Sequence, residues 1–246
     1  MRYKELTFEG RNAVLEAFRS GKTIDKLYIL DGCQDGPVKS IVREAKKTST
    51  IISYVEKERL DRLANTGHHQ GVVAIGAAYE YADVEDILEA ARSKGEDPFI
   101  FILDEIEDPH NLGAIIRTAN LAGAHGVIIP KRRAVGLTAI VAKTSAGAIN
   151  YTPVAKVTNI AATIESLKKE GLWFVCADMG GETMYNLNLK GPIGLVIGNE
   201  GNGVSRLVKE KCDFVASIPM KGDIDSLNAS VAAGVMAFEI VRQRSM

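Results

Sequence analysis

The sequence has few cysteines and almost no net charge. Its three cysteines, Cys33, Cys176 and Cys212, are an odd number, and none belongs to a CxxC pair. Reduced thiols are therefore favoured over disulfides or a zinc site. The formal net charge of −1 at pH 7 excludes a protein that is basic as a whole, so any nucleic-acid surface has to be a local patch.

Long hydrophobic runs are also missing. No apolar run reaches the roughly 18 residues of a membrane helix, and no cationic start precedes an apolar stretch with a cleavage site. We therefore expect a cytoplasmic protein that does not contact a membrane. Hydrophobic residues make up 46% of the chain and charged residues 25%, which is the composition of a globular protein with one large domain or two small ones.

Two patterns divide the chain. In residues 1–76, short helical and strand patterns alternate, which predicts a small α/β domain. Residues 77–97 are acidic around one helical pattern, and they are the predicted linker. In residues 98–246, near-continuous apolar runs such as FIFILD and IGLVIG alternate with helical patterns. Such runs are typical of strands buried on both faces, so we predict an α/β domain with a mostly parallel sheet.

Polar loops follow the predicted strands, where ligands of parallel sheets bind. In DPHNLGAIIRTANLAGAHG, Asn111 is predicted to cap a helix. Arg117 stands among small apolar residues, which indicates a protein interface or a functional site, unless its side chain only reaches back to water.

In LVIGNEGNGVS, glycines around Glu200 let the backbone approach a ligand, although a tight turn with a carboxylate at a helix start explains the pattern equally. The pattern is not GxGxxG, which disfavours a dinucleotide fold.

The last loop leads into a helix of unusual composition. In IPMKGDIDSLNASVAAGVMAFE, Ser226 and Asn228 are both suited to the start of a helix that is rich in Ala, Gly and Val. Small side chains let another backbone approach closely. The helix is therefore predicted to pack under its own sheet, against a partner subunit, or against both.

These three segments, in this order and spacing, resemble the signature motifs of the SpoU (TrmH-like) RNA 2′-O-ribose methyltransferases of the SPOUT superfamily. KTSAGAINYTPV resembles the middle segment of that family, and EGRNAVLEAF and NTGHHQGVVA resemble its small N-terminal substrate-binding domain. The resemblance implies that residues 98–246 form a trefoil-knot domain, in which the C-terminal helix passes through a loop of the chain, and that this domain forms a homodimer.

The two-domain form is similar to members of the family that methylate a guanosine ribose in the peptidyl-transferase region of 23S ribosomal RNA. Ribosomal RNA is therefore the implied partner. Other targets stay open: transfer RNA, another ribosomal nucleotide such as the adenosine modified by thiostrepton-resistance enzymes, or RNA binding without catalysis.

The resemblance also implies the site residues. S-adenosyl-L-methionine would be held, largely by backbone groups and without a metal, around Gly198, Ile218, Met220, Leu227 and Ser230. The implied catalytic residues are Asn111, Arg117, Glu200, Ser226 and Asn228.

Arg117 is the candidate to act on the ribose 2′-hydroxyl. Because a guanidinium stays protonated, we expect it to clamp a phosphate and stabilise the developing alkoxide, with a role as base left open. Asn111 is expected to orient Arg117 or the ribose. Glu200 is expected to fix Arg117, within the chain or across a dimer.

Local basic residues are the candidates for RNA contact. Lys131, Arg132 and Arg133 follow a predicted strand end, where they would either meet phosphates or form an ordinary solvated loop. Arg11 and Asn12 begin the first predicted helix, and the resemblance implies that they bind RNA.

Overall fold

A computed structural model describes residues 6–224 and 226–246. Its contacts divide the chain into two compact units. One comprises the chain up to Glu80 together with Gly136–Ala139, and the other comprises Tyr81–Val135 and the chain from Ile140 onward. The domain limits at residues 76 and 98 stay a prediction. Within the described residues, no helix is long and apolar enough to span a membrane.

The first unit is a small mixed sheet with helices. Its strands are β1 (Leu6–Glu9), β2 (Ile24–Leu30), β3 (Ile51–Val55) and β4 (Val72–Gly76), and its helices are α1 (Arg11–Arg19), α2 (Gly36–Lys47) and α3 (Lys57–Leu63). The strand order is β1-β4-β2-β3, in which β2 and β3 are parallel and β4 is antiparallel to both of its neighbours. The apolar face of α1, with Val14 and Phe18, packs with Leu27 and Ile41 into one buried cluster.

The second unit is built on a parallel sheet. Its strands are β5 (Phe99–Leu103), β6 (Gly126–Pro130), β7 (Val154–Val157), β8 (Trp173–Thr183), β9 (Ile193–Ile197) and β10 (Phe214–Ser217). The chain from residue 81 also carries α4 (Val84–Lys94), α5 (Pro109–Leu121), α6 (Ala139–Thr144), α7 (Ile160–Lys169), α8 (Arg206–Lys209) and α9 (Ala229–Arg244). The strand order is β10-β8-β9-β5-β6-β7, and each neighbouring pair is parallel. The prediction of an α/β fold with a mostly parallel sheet is confirmed.

The segment predicted as a linker contains α4, and this helix belongs to the second unit and packs on its sheet. Ile87 and Leu88 are buried in the same cluster as Ile100 and Phe174. A Cβ added to Gly126 would lie 2.6 Å from side-chain carbons of Ile87. The glycine at the start of β6 therefore lets α4 approach the sheet closely.

The small residues of α9 are explained by its packing beside α5. Ala233 and Ala237 are fully buried, and a Cβ added to Gly234 would lie 3.9 Å from Cγ2 of Thr118. The two helices therefore approach closely within one chain. The helix α9 also contacts β8 and β9, in line with the predicted packing under its own sheet, while packing against a partner subunit stays a prediction. The passage of α9 through a loop of the chain stays a prediction.

Candidate active site

The polar loops of the second unit lie at one edge of its sheet. One loop joins β5 to α5, a second follows β9, and a third joins β10 to α9. Because these strands are parallel, their carboxyl ends and the loops that follow them meet at the same edge. This is the edge at which open parallel sheets bind ligands.

Three predicted site residues, one from each loop region, form a hydrogen-bonded cluster. The Asn111 side chain donates from Nδ2 to Oε1 of Glu200 at 2.9 Å. The Asn228 side chain donates from Nδ2 to Oδ1 of Asn111 at 3.0 Å and also to Oε1 of Glu200. We call Asn111, Glu200 and Asn228 the amide–carboxylate cluster. It ties together the start of α5, the turn after β9 and the start of α9.

Asn228 has a second role as the N-cap of α9. Its Oδ1 accepts from the backbone N–H of Ser230 at 3.0 Å and of Val231 at 3.3 Å, and from Oγ of Ser230 at 2.6 Å. The carboxylate of Glu200 accepts from the backbone N–H of Ala229 at 3.3 Å. A negative charge at this helix start is favourable, because it faces unpaired N–H groups and the positive end of the helix dipole.

The prediction that Asn111 caps α5 is wrong. The N-cap is Asp108, whose Oδ1 accepts from the backbone N–H of His110 at 2.9 Å. Pro109 takes the first helical position, where its missing N–H costs nothing, and this moves the cap one residue before it. Asn111 lies inside the first turn and is buried, so its carboxamide is directed to the cluster and not to the helix end.

Arg117 stands apart from this cluster. Its side chain is exposed and makes no hydrogen bond or ion pair with the described residues. The bonds of Glu200 within the chain go to Asn111, Asn228 and Ala229. The expected contact between Glu200 and Arg117 is therefore not made within the described part of the chain, and the guanidinium is open to a ligand.

Asn199, which the sequence reasoning did not single out, shapes the turn that presents Glu200. Its side chain accepts from the backbone N–H of Gly201 at 2.8 Å and donates to the backbone carbonyl of Glu105 at 3.1 Å. A Cβ added to Gly198 would lie 2.2 Å from the carbonyl carbon of Gly203. Gly198 is thus required by the turn itself. The sequence signal for Asn199 is an amide-bearing residue between a strand end and a glycine-flanked turn.

The loop between β10 and α9 holds most of the residues predicted to bind the cofactor. Its described residues 219–224 and 226–227 form no backbone hydrogen bond within the described chain. Ile218 and Leu227 are half-buried, and Met220 and Ser226 are exposed. Unpaired backbone groups in a loop at the carboxyl edge are what a ligand bound through the main chain requires.

The basic segment after β6 lies at the same edge. Arg133 forms an ion pair with Glu105 at 3.0 Å, and this carboxylate raises the pKa of the guanidinium. Lys131 and Arg132 make no side-chain contact of this kind in the described chain. Lys131 and Arg132 therefore carry positive charges that no carboxylate of the described chain neutralises, unlike Arg133.

The other predicted RNA-binding residues, Arg11 and Asn12, are the first two residues of α1 in the first unit. Arg11 pairs with Asp35 at 2.5 Å, and Asn12 is exposed. Across residues 6–224 and 226–246, no group of three or more His, Cys, Asp or Glu side chains is arranged to hold a metal ion.

Comparison with known proteins identifies the family. Residues 98–238 match the SpoU rRNA methylase family, and residues 8–82 match the RNA 2′-O ribose methyltransferase substrate-binding domain. YacO of Bacillus subtilis, assigned to the TrmH family of tRNA/rRNA methyltransferases, is 52% identical over 237 residues, which are 96% of this chain and 95% of YacO.

Solved structures share the fold over nearly the whole chain. The SpoU methyltransferase AviRb from Streptomyces viridochromogenes is 27% identical with a TM-score of 0.63, covering 98% of this chain and 90% of AviRb. A structure of AviRb in complex with the cofactor AdoMet is 24% identical with a TM-score of 0.61, covering 97% of this chain and 90% of AviRb. With both of its parts matched in order, the chain belongs to the SpoU family of RNA methyltransferases.

Proposed function

We propose that this chain transfers a methyl group from S-adenosyl-L-methionine to the ribose 2′-hydroxyl of an RNA nucleotide. The observation that carries the proposal is the amide–carboxylate cluster, in which Glu200 accepts from Asn111 and Asn228. It joins the start of α5, the turn after β9 and the start of α9, and these regions carry the implied cofactor residues and all the implied catalytic residues except Arg117. The geometry of these regions is therefore set together. Positioning of this kind supplies a large part of the rate enhancement of a group transfer.

We propose that the cofactor binds at the loop between β10 and α9. AviRb, which has the same fold, is known in complex with AdoMet. In this chain, the described residues 219–224 and 226–227 form no backbone hydrogen bond with any other described residue, so Met220 and Leu227 have main-chain groups that can hold the adenosine and methionine parts. Ile218 begins this loop, and Ser230 follows it in the first turn of α9. Gly198 lies in the turn after β9, whose Glu200 accepts from Asn228 just before α9. The bound cofactor supplies a methyl group that is bonded to a positively charged sulfonium sulfur. When the methyl group is transferred, this sulfur leaves as a neutral thioether, and no metal is needed.

Arg117 supports the chemistry at the ribose. The 2′-hydroxyl has to lose its proton as its oxygen bonds to the methyl carbon and the carbon–sulfur bond breaks. The exposed guanidinium of Arg117 has no carboxylate partner among the described residues, and a guanidinium is a poor base. We propose that it holds an RNA phosphate and stabilises the negative charge that develops on the ribose oxygen, while the proton passes to solvent.

The target we propose is a guanosine in the peptidyl-transferase region of 23S ribosomal RNA, reached in the cytoplasm. Transfer RNA is the second candidate, because YacO is assigned to a family of tRNA/rRNA methyltransferases. The test is to map 2′-O-methyl groups in both RNAs from cells with and without the gene. Loss at one peptidyl-transferase guanosine supports the first target, and loss confined to transfer RNA overturns it. Unchanged methylation in all RNAs contradicts the proposed function.

We also propose a homodimer formed by α5 and α9. The side chains of Val231 and Phe238, seven residues apart on α9, are 49% and 50% exposed, and Leu121 at the end of α5 is 66% exposed. Residues seven apart lie on the same face of a helix. An apolar face of this kind on a soluble protein is typical of an interface.

Phe238→Asp is expected to convert this dimer to a monomer, because burial of a carboxylate without a partner is unfavourable. Sedimentation velocity of the full chain at micromolar concentration measures the change. Leu207→Asp, at a residue on α8 that is 61% exposed, is the matched control and should remain dimeric. A wild-type monomer under these conditions contradicts the proposed interface.

A further inference from the structure

The first unit contains a cavity that the methyl-transfer site does not use. Its volume is about 570 Å³, and it lies between the start of α1, the end of β2 and the turn before β4. This volume is within the range of sites that bind small ligands or single groups of larger ones. Leu30 and Pro37 supply apolar walls, and Arg11, Asn12 and Gln70 supply polar groups.

The guanidinium of Arg11 is fixed at one wall of this cavity. It donates from Nε to the carbonyl of Gln70 at 3.2 Å, and Nη2 contacts Asp35 at 2.5 Å and Sγ of Cys33 at 3.7 Å. A guanidinium held in this way presents a fixed planar face, and nucleic-acid bases stack on such faces. Since Asp35 already balances its charge, Arg11 is less suited to attract a phosphate.

Two carboxamides next to Arg11 have unused hydrogen-bonding groups. Gln70 accepts from the backbone N–H of Arg11 through Oε1 at 3.2 Å, and its Nε2 has no partner in the described chain. The Asn12 side chain likewise makes no hydrogen bond with the described residues. A carboxamide offers one donor and one acceptor side by side, which matches the polar edge of a base.

The turn that carries Gln70 is held rigidly in an uncommon conformation. Gln70 has φ of 49° although it is not glycine. The buried His69 secures the turn, because its Nδ1 accepts from the backbone N–H of Gly71 at 3.0 Å and its Nε2 contacts Asp61 at 3.0 Å. Backbone strain that is retained by such bonds is often associated with a binding site.

We propose that this cavity binds one unstacked base of single-stranded RNA. The base stacks on the guanidinium of Arg11, and Asn12 and Gln70 hydrogen-bond its polar edge. The inference rests on the proposed function in that RNA is the substrate. It adds that the first unit selects RNA by a base and not only by phosphate charge, which gives the enzyme a means of choosing its target outside the methyl-transfer site.

The test compares single-stranded RNA of equal charge with and without bases. Fluorescein-labelled 12-mers of A, C, G or U and an abasic 12-mer are titrated with the full chain, and fluorescence anisotropy gives Kd at several salt concentrations. We expect the wild type to prefer at least one base over the abasic RNA. Asn12→Ala should weaken binding of the preferred RNA by about tenfold, the scale of one base contact. Binding of the abasic RNA and the slope of log Kd against log salt should not change.

Arg43→Ala is the control, since this arginine lies on α2 outside the cavity and its side chain is 73% exposed. It should leave the base preference intact. The inference is overturned if the wild type binds abasic RNA as tightly as every other 12-mer. It is also overturned if Asn12→Ala leaves the preference unchanged, or weakens all RNAs equally with a smaller salt slope. Methylation of ribosomal RNA, measured in parallel on the same preparations, separates failure of this inference from failure of the proposed function.

Discussion

Arg117→Ala is expected to reduce the rate of methyl transfer at least about a hundredfold, which is the effect of losing one donor that stabilises a transition state. The binding of S-adenosyl-L-methionine should stay nearly unchanged, because Arg117 is exposed and lies outside the loop that we assign to the cofactor. Single-turnover kinetics with the mapped RNA gives the first quantity, and calorimetry gives the second.

The pH dependence separates the two roles of this residue. If Arg117 clamps a phosphate, Arg117→Lys keeps the charge but loses the planar fork, so it should restore little activity and leave any inflection in the rate at the same pH. If the residue is a base, the inflection should move to lower pH in the lysine variant. Arg206→Ala, at an exposed arginine on α8, is the control and should keep full activity. Wild-type turnover in Arg117→Ala would remove this residue from the mechanism.

Glu200→Ala is expected to have a comparable effect on turnover for a different reason. Oε1 of Glu200 accepts from the side chains of Asn111 and Asn228 and from the backbone N–H of Ala229. Without it, the three loops lose their common acceptor, and a misplacement of about 1 Å costs on the order of a hundredfold in rate. Glu200→Gln keeps one acceptor oxygen, so its activity should lie between those of the alanine variant and the wild type.

A double-mutant cycle tests whether the cluster acts as a unit. Residues in one hydrogen-bonded network give effects that do not add, so Asn111→Ala should cause little further loss in a chain that already carries Glu200→Ala. Glu210→Ala, at an exposed carboxylate of the second unit, controls for the loss of one negative charge. Additive effects, or full activity in Glu200→Ala, would contradict a common positioning role. Thermal unfolding of each variant distinguishes loss of position from loss of folding.

The cluster also explains why the turn after β9 is rich in glycine. Gly198 packs against the backbone of Gly203, and Asn199 bonds Gly201 and Glu105. The turn is therefore stabilised by contacts within itself and by a hydrogen bond to the loop after β5. The glycines allow the turn conformation that positions Glu200. The close contact of Gly198 with the backbone of Gly203 explains why residue 198 is glycine, without invoking a nearby cofactor.

The amino-acid sequence by itself determined the features that depend on local pattern and burial. The apolar runs indicated strands buried on both faces, and the second unit has them in a parallel sheet. Asn228 was identified as a helix start from its side-chain type, and it caps α9. The strands β1 and β7 have four residues each, which gives little pattern along the chain. They are defined by their pairing with β4 and β6 respectively.

Only the tertiary structure decided which of the candidate residues meet. Asn111 and Glu200 are 89 residues apart and Asn111 and Asn228 are 117 apart, yet they form one cluster, while Arg117 on the same helix as Asn111 stays outside it. Arg11 and Gln70, 59 residues apart, meet in the first unit in the same way. The physical reason is that such bonds depend on strand order and helix packing, which side-chain patterns along the chain do not specify. Local pattern predicts an element and its buried face, whereas the neighbours of that face are chosen by the fold as a whole.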